Sequence, residues 1–192
     1  MKRVILVTGT PCVGKTTTAR ALAENLGAVC INLTEFAKTR GLTLGEDRVR
    51  QTIIVDEEAM YKSLGESISA ANTDIIIDGH YAAAVTPSEL VTHVFVLRRN
   101  PIELKKEMQC CGFSATKIDE NLSAEILDSC LIEALQNHPD KVCELDVSGQ
   151  ATEDIVDVIL KVLNKDRNCS SGFVDWLDML EREGLTDRYL RV

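Results

Sequence analysis

A chain of 192 residues is long enough for one well-buried core and short for two, so one domain with an appended tail is the expectation. Its apolar share of 45% and charged share of 27% are those of ordinary globular proteins, while 4% aromatic residues argue against a stacking platform for single-stranded nucleic acid. A net charge of −9 disfavours a broad direct grip on nucleic acid, which needs clustered Lys and Arg to release counterions.

The opening "MKRVILVTGT" is too short and too β-branched for a secretory core, and no run approaches the roughly 18 apolar residues of a membrane span. These features predict a soluble, cytoplasmic protein with no membrane partner. Seven cysteines form an odd set without CxxC spacing, and Cys110 adjoins Cys111, so neither a disulfide framework nor a zinc site is expected. They read as reduced thiols, mostly filling the core.

In chain order, "RVILV" (3–7) is a short β-friendly run. After it, Gly9 to Thr16 satisfies G-x-x-x-x-G-K-[ST], and Thr16–Leu26 follows as an amphipathic helix stopped by Gly27. Strand, glycine loop and helix in that order form a phosphate cradle. Gly14 permits close approach, Lys15 neutralises β- and γ-phosphates, Thr16 offers its hydroxyl to Mg²⁺, and Thr17 is placed to reach the α-phosphate. Next, "AVCINL" (28–33) predicts a second strand. Residues 34–56 break the rhythm with two glycines and the cations Lys38, Arg40, Arg48 and Arg50, an inserted arm suited to an acceptor's phosphate.

"DIIID" (74–78) predicts a third strand, which places Asp78 at the ligand edge of an α/β sheet to hold Mg²⁺ directly or through water, with His80 beside it to orient water or move a proton. "HVFVLR" (93–98) is a fourth strand, from which Arg98 and Arg99, with Lys105, Lys106 and Lys117, could serve the donor side. Within 105–121 a helix meets a Cys-Cys-Gly-Phe turn and restarts, with Ser114 as its N-cap. "KVCELDV" (141–147) is the fifth strand. After Leu163 comes linker chemistry and then "FVDWLDMLEREGL", a short amphipathic helix bearing the only tryptophan. Strands apolar on both faces and alternating with helices predict an α/β fold, a parallel sheet covered on each side.

Taken together, "GTPCVGKTTTARALA", "DGH", "HVFVLRRNP", "GFSATKIDENLSAEI" and "CELDVSG" resemble the adenylate kinase isoenzyme 6 family, the coilin-interacting nuclear ATPases, and especially its archaeal members. The resemblance implies a P-loop NTPase fold over residues 1–164, with five parallel strands in the order 2-3-1-4-5. It also implies a nucleotide-monophosphate arm near 31–54, a small lid near 110–120 and a separate tail over 165–192. It implies ATP + AMP ⇌ 2 ADP with Mg²⁺, accompanied by ATP hydrolysis, and transient binding of ribosomal protein uS11 during maturation of the small subunit's RNA. Carried over by position, Cys12, Gly14, Lys15, Thr16 and Thr17 hold donor phosphates, and Asp78 and His80 are the Asp-x-His pair; with the basic residues read above, Lys15, Asp78 and His80 are expected in catalysis and Lys38, Arg40 and Arg98 at the substrate.

The chain departs from that family at three places. Lys38 stands where the family has arginine. Cys12 replaces a loop glycine, so a backbone with φ > 0 there would be strained. The lid pattern R-x-x-x-R-G-Y is answered by Glu107, Cys111, Gly112 and Phe113. Loss of one positioned arginine can cost ~10³-fold in phosphoryl transfer, which opens a second reading: an assembly ATPase with weak kinase turnover. A small-molecule kinase, such as one for shikimate, fits the Asp-x-His step less well.

Overall fold

The computed structural model describes residues 2–47 and 52–190. Its strands are β1 (Val4–Thr8), β2 (Val29–Asn32), β3 (Thr43–Asp47), β4 (Thr52–Val55), β5 (Ile75–Asp78), β6 (His93–Arg98) and β7 (Val142–Asp146). The long helices are α1 (Lys15–Leu26), α2 (Leu33–Arg40), α3 (Glu57–Ala70), α5 (Pro101–Cys110), α6 (Ala115–Ile126), α7 (Ser129–Asn137) and α8 (Thr152–Leu163). Three shorter ones are α4 (Ala82–Val85), α9 (Trp176–Arg182) and α10 (Thr186–Tyr189).

The main sheet runs β2-β5-β1-β6-β7 with every pairing parallel, which is the order 2-3-1-4-5 when its five strands are counted along the chain. Strand alternation divides the core in two. Ile5, Val7, Ile76, Phe95 and Leu97 point to a layer built by α1, α5, α6, α8, α9 and α10. Val4, Leu6, Ile75, Ile77, Val94 and Val96 point to the opposite layer of α2, α3, α4 and α7. Each fully buried aliphatic side chain of this kind contributes about 1.5–3 kcal/mol, so both faces of the central strands stabilise the sheet.

Residues 34–56 are more regular than their composition suggests. Asn32 caps α2 by accepting from the Glu35 amide at 3.1 Å, Gly41 ends it at φ 67°, and β3 pairs antiparallel with β4. The two glycines that looked like irregular loop are thus a helix stop and a bulged position of a hairpin, Gly45, at φ 150°. Arg48 and Arg50 lie outside the described residues.

The cysteines do not fill the core. Only Cys143 is buried, while Cys30, Cys110, Cys111 and Cys169 are exposed. Cys12 and Cys130 are half-buried and pack against the rims of the two apolar layers. The segment after α8 returns along β7, where the Glu144 amide donates to the Ser170 carbonyl at 2.9 Å. Trp176 and Leu180 then enter the same apolar layer as α1 and α6.

Candidate active site

The loop between β1 and α1 owes its path to two glycines. A Cβ on Gly9 would lie 2.4 Å from the Leu97 carbonyl oxygen, so any larger residue would push β1 away from β6. Gly14, at φ 109°, is the N-cap of α1 and offers no side chain to its first turn. The opening amides of a helix lack intrahelical partners, and this first turn carries no acidic residue. Those amides, with the helix's positive end, therefore favour an anion. Gly14, Lys15, Thr16 and Thr17 line a cavity of about 380 Å³, whose far wall holds Arg99, Glu107 and Cys111. Cys12 also lines it and sits at φ 68°, the left-handed conformation a glycine would adopt freely.

Lys15 donates to the Thr10 carbonyl at 2.9 Å, which folds its ammonium back over the loop. Burial pulls its pKa below the ordinary lysine value, while Cys130 and Asp78 oppose that shift. Asp78 is the last residue of β5 and pairs in register with Val7, so the sheet itself sets it beside the loop. It is 1% exposed, accepts from Thr16 Oγ1 at 2.6 Å and Asn32 Nδ2 at 2.8 Å through Oδ2, and leaves Oδ1 without a partner. A hydroxyl beside a carboxylate with one buried free oxygen is an all-oxygen donor set, which fits Mg²⁺.

His80 follows across Gly79, where a Cβ would strike the Leu33 side chain at 2.6 Å. Thr8 Oγ1 donates to the His80 carbonyl at 3.0 Å and fixes its backbone. The outer edge of His80 is exposed, yet desolvation of the imidazole, reinforced by the charges of Lys15 and Lys117, pushes its pKa down to about 4. The ring is thus neutral near pH 7, able to accept one hydrogen bond and donate another. With Thr10, Tyr81, Cys130 and Glu133 it lines a second cavity of about 220 Å³ on the other side of the loop.

Arg98 is not at the ligand edge, contrary to the expectation for a substrate-binding residue. It is 1% exposed, with Nε 2.9 Å from Glu125, Nη1 2.6 Å from Glu144, and Nη2 paired with Asp128. Strand alternation turns it to the side of Val94 and Val96, the side that Glu144 of β7 also takes, and there Glu144 with Glu125 and Asp128 at the end of α6 absorbs its charge. The neighbouring Arg99 faces the donor cavity instead. Lys38 and Arg40 are exposed on the last turn of α2, outside the two cavities just described. Arg40 stacks over Phe36 and donates to Ser63 Oγ at 3.0 Å. Lys105 lies over the Tyr189 ring.

Sequence reasoning missed Asn32, whose side chain both caps α2 and steadies Asp78. It also missed Gln150 and Thr152, which bring the β7–α8 junction into the donor cavity. Glu125 lay within a quoted motif, but nothing in its helical periodicity announced that Thr10, Arg98, the Arg99 amide and Trp176 would all donate to it.

A phosphate loop at the first β-to-α junction of a 2-3-1-4-5 sheet, with an acidic residue ending the adjacent strand, defines a P-loop kinase-like protein. The AAA domain profile matches residues 5–128. The chain belongs to a family of archaeal adenylate kinase-like proteins. It is 35% identical over 181 residues to a "Putative adenylate kinase" of Methanococcus maripaludis, covering 91% of this chain and 96% of that one. It is 38% identical over 179 residues to one of Pyrococcus furiosus, covering 93% of each. Among solved structures, shikimate kinase from Acinetobacter baumannii superposes with TM-score 0.62 at 17% identity, covering 87% of this chain and 96% of that one. Thymidylate kinase from Candida albicans does so with TM-score 0.54 at 14% identity, covering 90% and 98%. These two likenesses concern the fold alone.

Proposed function

We propose that the protein transfers the γ-phosphoryl group of ATP to AMP, giving two ADP, with slow hydrolysis when water takes the acceptor's place. The observation that carries this reading is the uncapped first turn of α1 beside Lys15, Thr16 and Asp78, set in a family whose relatives are named as adenylate kinases. In phosphoryl transfer the protein mainly positions groups and offsets charge. Lys15 and the loop amides hold the β- and γ-phosphates, Thr17 holds the α-phosphate, and Arg99 supplies the cation on the wall of the donor cavity. Mg²⁺, held by Thr16 and Asp78, would spread the charge of the β- and γ-oxygens. Neutral His80 orients the attacking oxygen rather than carrying a proton as imidazolium. Lys38 and Arg40, outside both cavities described, reach AMP when the arm closes.

A coupled assay of ADP formation tests the reading. ADP release that requires AMP supports it, whereas phosphate release indifferent to AMP overturns it in favour of an ATPase. One feature favours that second reading: Glu107 and Cys111, neither able to neutralise phosphate, occupy the donor wall where the resembled family has arginines. Service in ribosome maturation through uS11, in the cytoplasm, draws support only from the charge of −9, which suits a basic partner. Failure of immobilised uS11 to retain the chain would remove it.

A further inference from the structure

Glu125 is 1% exposed and uses both carboxylate oxygens. Oε2 accepts from Thr10 Oγ1, in the phosphate loop. Oε1 accepts from Arg98 Nε at 2.9 Å, from the Arg99 amide at 3.1 Å, and from Trp176 Nε1 at 3.0 Å. The Thr10 carbonyl in turn accepts from Lys15 Nζ at 2.9 Å. A continuous series of hydrogen bonds therefore runs from the C-terminal segment, through one buried carboxylate, to the ammonium over the loop. Glu144 fastens the same segment from another side, accepting the Gly172 amide at 2.7 Å and the Phe173 amide at 3.1 Å, and Arg98 bridges Glu144 to Glu125.

We propose that Trp176 is a positioning residue for the phosphate loop: its indole N–H, acting through Glu125, fixes Thr10 and thereby the seat of Lys15. This rests on the reading that the loop binds a nucleoside triphosphate. Hydrogen bonds to a charged acceptor are stronger than neutral ones, and in a buried network each bond constrains the next. Loss of the indole donor leaves the carboxylate free to turn about its remaining partners, and Thr10 and the Arg99 amide turn with it. Two walls of the donor site are thus referred to one tryptophan. The segment beyond α8 is in this account a part of the nucleotide site rather than an appendage.

Trp176→Phe keeps the ring in the core and removes only the donor, and Glu125 retains its other partners. Calorimetric titration with ATP is expected to show affinity lower by about five- to tenfold, the part of a charge-assisted hydrogen bond that reaches the loop. Leu180→Val loosens the same helix without touching Glu125 and is expected to bind ATP as the wild type does. An equal loss in both variants would overturn the proposal, because it would mean that general loosening of α9 is the cause. Trp176 is the only tryptophan, so its emission reads the other direction: ATP should shift it in the wild type. Thr10→Val breaks the branch through the loop and should diminish that shift while ATP still binds, the Arg99 amide keeping the other branch. Wild-type affinity in Trp176→Phe, or an undiminished shift in Thr10→Val, defeats the positioning role alone. No ATP binding by the wild-type chain defeats the proposed function beneath it.

Discussion

Thr16 Oγ1 donates to Asp78 Oδ2 across 2.6 Å, tying the first turn of α1 to the carboxyl end of β5 and leaving Asp78 Oδ1 free. Asp78→Asn preserves volume and the Thr16 contact but removes the charge. Apparent Mg²⁺ affinity in the ATP complex is expected to fall about 10–100-fold, while metal-free ATP binding changes little. Calorimetry with and without Mg²⁺ separates the two; equal losses would reassign Asp78 to holding the loop.

Lys15→Ala should abolish tight ATP binding. The ammonium is partly desolvated over the loop and gains a polyanion on binding, so its removal costs the bound state far more than the free one. Unchanged affinity by calorimetry would refute the site.

Arg98→Met is expected to act on stability and, through Glu125, on the phosphate loop, rather than by direct contact with AMP. Removing the cation leaves Glu125 and Glu144 buried without their partner, and breaking such a group costs about 3–5 kcal/mol. Urea unfolding should show that loss. A higher KM for AMP at unchanged stability would restore the substrate role that the structure denies.

The sheet and the loop were legible because both rest on local patterns. Runs such as "RVILV" and "HVFVLR" are apolar on both faces only when buried on both, and two glycines five apart before Lys-Thr have few uses beyond a phosphate cradle. The arm was harder, because Gly41 and Gly45 look alike in sequence although one stops a helix and the other sits in a hairpin. Arg98 was misplaced for a related reason: adjacent residues leaving a strand face opposite ways, and nothing local says which arginine points at the ligand. Its carboxylate partners lie 27, 30 and 46 residues downstream, and such distant pairings leave no trace in periodicity.

Cys12→Gly should stabilise the protein. A left-handed backbone costs an L-residue about 1–2 kcal/mol, partly offset by the greater freedom of unfolded glycine, so a net gain of about 1 kcal/mol is expected. A lower denaturation midpoint would show instead that contacts of the thiol outweigh the conformational cost.

Acid should destabilise the fold through His138. This histidine is fully buried, its Nε2 donates to the Ala83 carbonyl at 2.9 Å, and Nδ1 has no partner to receive a second proton. Burial, with Lys141 adding to it, holds its pKa below the ordinary value near 6.5. The unfolded chain therefore binds a proton that the folded chain refuses, so stability is full above about pH 6.5 and declines as pH falls towards the lowered native value. Melting temperatures measured from pH 7.5 to 5 should show the decline, and His138→Gln should make it shallower, with His80 and His93, whose pKa values are also lowered, keeping their share; an unaltered slope would assign the effect to those two.

The carboxylate of Glu125 and the indole that completes its coordination are 51 residues apart. A ribosome adding about 5–20 residues per second emits the first some 3–10 s before the second. During that interval the nascent sheet can assemble while this acid still draws on water for part of its hydrogen bonding. On the proposal above, full affinity for nucleotide would thus come late in translation, once Trp176 reaches Glu125, and a chain released before it would hold nucleotide more weakly.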